Sequence, residues 1–86
     1  MTSEEFAERF QKHPLGHCFQ AMEITDTVFK LENTAVMAKG MLLLLEFQGE
    51  ITKEEYEFLI RASQGNAQRN KKRIEKTSSA GTQTKQ

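Results

Sequence analysis

Eighty-six residues with a single cysteine, Cys18, allow one domain and exclude an intrachain disulfide scaffold, so stability must come from a hydrophobic core or a partner chain. The formal charge of zero hides a split: residues 1–60 carry five basic against eleven acidic side chains, residues 61–86 seven basic against one acidic. Such asymmetry points either to nucleic-acid contact by the basic end or to attraction between opposite ends of neighbouring molecules.

Met1-Thr2-Ser3-Glu4-Glu5 has no basic region ahead of an apolar one, so a secretory signal is not expected. The strongest apolar run, Met41 to Leu45, falls far short of the roughly 20 residues that a membrane span requires. With the lone cysteine, these features predict a soluble, cytoplasmic protein.

Thr2 and Glu5 stand at capping-box spacing, and Met1 and Phe6 occupy hydrophobic-staple positions, so a helix is expected almost at once. Phe6 and Phe10 share one of its faces. Pro14 disfavours helical geometry at His13 and should end this helix near Lys12. His13-Pro14-Leu15-Gly16 then reads as a turn, with Pro14 suited to the first position of the next helix.

Ala21, Ile24, Val28, Leu31, Ala35, Ala38, Leu42 and Leu45 follow at steps of three and four, an unbroken heptad pattern. The pattern predicts one helix over about residues 15–48, of which His17 to Gln48 would span roughly 48 Å if continuous. A helix of that length needs a neighbour, in a hairpin, a bundle or a dimer. Ile24, Val28, Leu31, Ala35, Ala38, Leu42 and Leu45 are the expected self-association seam, with a narrow waist at the two alanines. A second row, Met22, Phe29, Val36 and Leu43, should widen the buried face and receive the first helix. Met41 to Leu45, apolar on all sides, is expected at the most buried level.

Gly49 suits a left-handed helix end, and Thr52 with Glu55 forms a second capping box, flanked by Ile51 and Tyr56 at staple spacing. A third helix over about residues 53–64 should bury Tyr56, Leu59 and Ile60 antiparallel to the long one. The string Phe47-Gln48-Gly49-Glu50-Ile51-Thr52-Lys53-Glu54-Glu55-Tyr56 resembles the hairpin of short C-terminal oligomerisation modules in bacterial proteins, a likeness confined to the hairpin. Gly65-Asn66 reads as a stop, dividing the chain into an all-α domain, residues 1–66, and a basic extension, residues 67–86, partly helical and disordered from Thr77.

The residues offer little catalytic chemistry. His13 and His17 have the spacing of two metal ligands on a helix, but Pro14 and Gly16 break that register, and a structural turn is the stronger reading. Cys18 near a helix start could be a reactive thiol; a lone buried thiol is commoner. Nucleophile elbows and glycine-rich phosphate cradles are missing, and paired Glu54 and Glu55 are explained by the helix dipole. We therefore expect no enzyme, cofactor or metal, and read Met22, Met37 and Met41 as core filler or part of a partner groove.

Two charged surfaces remain. The acidic set Glu4, Glu5, Glu8, Glu50, Glu54 and Glu57 suits a basic protein partner. The cluster Arg69, Lys71, Lys72, Arg73 and Lys76 would suit phosphates, although it lacks the interleaved aromatics that stack on unpaired bases. The favoured expectation is a small non-enzymatic interaction or regulatory protein that forms a homodimer, with nucleic-acid binding as the alternative.

Overall fold

The computed structural model describes the backbone through Lys85 and the side chains through Thr77. It contains four helices, α1 (Ser3–Phe10), α2 (Pro14–Ile24), α3 (Val28–Phe47) and α4 (Lys53–Lys85), with no strand among the described residues. The all-α class holds, with one helix more than the sequence predicts.

The extra helix arises at Thr25-Asp26-Thr27, inside the stretch expected to be continuous. Thr25 is extended, with ψ of 148°. Thr27 is also extended, and its hydroxyl accepts a hydrogen bond from the Lys30 amide at 3.2 Å, capping α3. Threonine and aspartate offer the backbone local hydrogen bonds that compete with helix, and here that competition overrides the heptad pattern.

The other helix boundaries follow the expected chemistry. Thr2 accepts from the Glu5 amide at 3.1 Å. Pro14 opens α2, and His13 caps it by accepting from the Leu15 amide through Nδ1 at 3.0 Å. At the end of α3, Gly49 takes φ of 76°, and its amide and that of Glu50 donate to the carbonyls of Glu46 and Leu45. This is a Schellman closure. The second capping box is complete: the Glu55 amide donates to Thr52 Oγ1 at 3.1 Å, and the Thr52 amide to Glu55 Oε1 at 2.9 Å.

One chain covers most of its own seam. Leu31, Ala38, Leu42 and Leu45 are buried, packed with Leu15, Cys18, Met22, Ile51 and Leu59 in two clusters. α4 supplies much of the cover and also packs against α2. The first helix does not receive the second apolar row. It packs on α2 instead, where Phe6 meets Phe10 and Phe19 at ring separations of 5.2 and 4.8 Å. Of the second row only Met22 is buried.

α4 passes through Gly65 without interruption, so the boundary expected at residue 66 falls inside a helix. Leu59, Ser63, Asn66, Asn70 and Ile74 recur at steps of four and three, and all are buried. That continuous packed face outweighs the cost of about 1 kcal/mol for an interior glycine. Ile74 joins Met22 and Leu31 in the second cluster, so the start of the basic extension is part of the core. The segment from Thr77, expected to be disordered, instead continues α4 as helical backbone through Lys85, and the side chains of residues 78–86 lie outside the described residues.

Candidate interaction surface

α3 carries apolar residues around nearly its whole circumference, yet α2 and α4 cover only its inner side. Leu31, Ala38, Leu42 and Leu45 turn inward. Phe29, Val36 and Phe47 are exposed at 76%, 70% and 89%, and Met37, Leu43 and Leu44 are exposed beside them. The run Met41 to Leu45 therefore splits: Leu42 and Leu45 are buried, Met41 is half-buried, and Leu43 and Leu44 are exposed. Among the described residues none covers this outer face, and α4 only borders it, along a groove where Ile60 and Gln64 lie beside Val36 and Lys39.

The exposed residues have their own register. Phe29, Asn33, Val36, Gly40, Leu43 and Phe47 follow at steps of four, three, four, three and four, a second heptad stripe opposite the first. Helical geometry places Met37 and Leu44 along one flank of this stripe, and Glu32, Lys39 and Glu46 along the other. A Cβ added at Gly40 would meet no atom within 4 Å, so the middle of the stripe is open to close approach. The second row in the sequence already contained Phe29, Val36 and Leu43. Its period reveals an apolar face, but only the number of covering helices decides whether that face is buried.

The expected self-association residues thus divide by location. Leu31, Ala38, Leu42 and Leu45 belong to the intrachain core, Val28 and Ala35 are half-buried, and Ile24 is 82% exposed at the end of α2. Of the methionines expected to form a groove, Met22 is enclosed, Met41 half-buried and Met37 exposed.

The acidic residues Glu4, Glu5, Glu8, Glu50, Glu54 and Glu57 are all exposed. Arg9 links the elements that carry them by donating to the Glu50 carbonyl at 3.3 Å and pairing with Glu55 at 2.5 Å. Hydrogen bonding from the Thr52 amide and then from Arg9 holds the Glu55 carboxyl below its ordinary pKa.

The basic cluster does not form one surface. Arg73 turns back: its Nε donates to Asn70 Oδ1 at 2.9 Å and its Nη2 to the Thr25 carbonyl at 2.8 Å. Asn70 in turn donates to the backbone and side-chain oxygens of Asn66 at 2.9 and 2.6 Å. Arg69, Lys71, Lys72 and Lys76 are exposed. By helical spacing Arg61, Lys72 and Lys76 lie on the side of α4 away from its packed face, with Arg69 at its edge, beside the cleft that Phe6 and Phe19 line. Sequence reasoning missed Arg61, although the same spacing includes it.

His13, His17 and Cys18, the remaining chemistry-bearing side chains, lie together at the start of α2. His13 is occupied as a cap, His17 is exposed, and Cys18 is buried, where desolvation pushes its thiol pKa up and disfavours the thiolate. The cleft beside Phe6 and Phe19 measures about 250 Å³, below the usual 300–1,000 Å³ of small-molecule sites. A larger depression of about 510 Å³ at the α2–α3 corner is open and bordered by Asp26, Lys30, Asn33 and Thr34.

No protein-family model matches this chain, and comparisons with curated proteins and with solved structures returned no match. Among the described residues, no helix is long and apolar enough to cross a membrane.

Proposed function

We propose that the chain is a small non-enzymatic interaction protein that regulates another macromolecule by binding, with the outer face of α3 as its principal contact. The observation that carries this reading is the contiguous exposed row Val36, Met37, Leu43, Leu44 and Phe47 on one helix face. Continuous apolar patches of this kind mark association sites, whereas single exposed apolar residues do not. The heptad spacing suits a helix as the docking element. The exposed glutamates of α1 and the α3–α4 corner provide a separate contact for a basic protein.

A display library of amphipathic helical peptides tests the reading. Wild-type protein should retain a set of peptides that Val36→Glu loses while its circular dichroism is unchanged, because Val36 lies outside the core. Equal retention by both proteins overturns the assignment of this face.

A second reading is nucleic-acid binding along Arg61, Arg69, Lys72 and Lys76, favoured by their alignment along one side of α4. Their cumulative substitution should weaken duplex binding and reduce its salt dependence.

A further inference from the structure

We infer that the occupant of the outer α3 face is a second copy of this chain, docked antiparallel about a two-fold axis passing between Gly40 and Leu43. This rests on the reading of that face as an association site and adds its partner and register.

The argument begins with self-complementarity. In an antiparallel pair, the seam positions of one helix meet those of the other in reverse order, and flanks of the same kind lie side by side. Placing Leu43 over the partner's Gly40 sets Val36 against the partner's Phe47, with both contacts repeated by symmetry. Leu43 then enters the gap that Gly40 leaves open. In this register the apolar flanks bring Met37 beside the partner's Leu44. The charged flanks bring Lys39 beside the partner's Glu46, giving two opposite-charge contacts per dimer.

The neighbouring register towards the N-terminus is poorer. Moving the axis one half-heptad towards the N-terminus adds Phe29 to the seam. It also sets Lys39 beside the partner's Lys39 and Glu32 beside the partner's Glu46, while Asn33 enters the apolar seam. Like charges and a buried polar position act against that pairing. The favoured register leaves Asn33 outside the paired segment.

The area is sufficient. Val36, Met37, Leu43, Leu44 and Phe47 expose roughly 600 Å² per copy, or about 1,200 Å² across the pair, the lower edge of stable interfaces before the Lys39 and Glu46 stems are included.

Analytical ultracentrifugation with charge reversal tests both partner and register. At tens of micromolar the wild-type chain should sediment as a dimer of the 9.9 kDa protomer. Lys39→Glu and Glu46→Lys should each weaken association at least tenfold, and the double reversal should restore it to within a few-fold of wild type. Gly40→Leu should abolish the dimer while leaving the protomer helical, since the added side chain meets open space in the single chain. A wild-type monomer at these concentrations overturns the inference, as does a dimer indifferent to the reversals or one that the double reversal fails to restore. Retention of helical peptides that depends on Val36 would leave the broader reading of α3 standing in any of those cases; its absence from a monomeric chain would remove both.

Discussion

Arg73 Nη2 donates to the Thr25 carbonyl at 2.8 Å, a hydrogen bond across 48 positions of sequence that fastens α4 to the corner between α2 and α3. The carbonyl lies where helical hydrogen bonding has stopped, so the guanidinium supplies a donor that the backbone cannot. Its other contact, to Asn70, orients it from within α4. Arg73→Ala should lower unfolding free energy by about 1 kcal/mol, the range of a charged donor on a partly solvated acceptor. Arg73→Lys should recover only part of this, because an ammonium cannot span both acceptors as a planar fork does. Urea denaturation followed by circular dichroism measures both. No change in Arg73→Ala would remove this bond from the forces holding the corner.

Much of this architecture was legible from local chemistry. Thr52 and Glu55, Gly49, Pro14 and Thr2 mark helix boundaries through interactions that span only a few residues, so their spacing suffices to locate them. Thr25-Asp26-Thr27 carries the same kind of information, but the heptads running across it suggest a continuous helix. The Thr27 cap resolves the break locally, while the Arg73 hydrogen bond to the Thr25 carbonyl that fastens the corner to α4 is something local spacing does not contain. Gly65 was misleading for the converse reason: its intrinsic helix cost is real, but the burial of Leu59, Ser63, Asn66, Asn70 and Ile74 on either side exceeds it. The candidate surface was half-legible, as an apolar row whose exposure depends on how many helices the chain contributes.

The two glycines Gly16 and Gly65 should respond to alanine with opposite signs. Gly16 is buried where α1 turns into α2, and an added Cβ would collide with the Phe10 carbonyl oxygen. A backbone atom cannot swing aside, so Gly16→Ala should destabilise the fold by about 1–3 kcal/mol. At Gly65 the nearest atom to an added Cβ is the end of the Arg69 side chain, at 3.7 Å, which is ordinary contact. Gly65→Ala should therefore stabilise the protein by about 0.5–1 kcal/mol through helix propensity and a less flexible unfolded chain. Melting temperatures of the two variants, measured together, check the contrast.

Glu55 should make stability sensitive to acid. Its carboxylate accepts from the Thr52 amide and pairs with Arg9, so its pKa is lower in the folded chain than in the unfolded one. The unfolded state consequently binds the proton first as pH falls. The stabilisation is fully present above the ordinary glutamate value of about 4.3 and is lost as acidification continues through the lowered folded value. Glu55→Gln should flatten the dependence of melting temperature on pH below that point and change the profile little in shape near neutrality. A variant that keeps the full acid dependence would assign it to other carboxylates.

The basic side of α4 invites a test in which the choice of residues matters. Arg73 supports the fold, so replacing it together with Lys71 and Lys72 would mix stability with any binding effect. Arg69, Lys72 and Lys76 are exposed and share one side of the helix, and their substitution by alanine should leave the fold intact. If they contact duplex phosphates, removing three contacts should reduce the slope of log affinity against log salt by about 2.7. The reading favoured here predicts a different result: no measurable duplex binding near physiological salt, by wild type or triple variant. Residues 1–60 hold eleven acidic against five basic side chains, and that field repels a polyanion approaching the short cationic stripe. A gel-shift titration at low and moderate salt separates the outcomes, and tight, salt-sensitive binding lost in the triple variant would move the functional surface from α3 to α4.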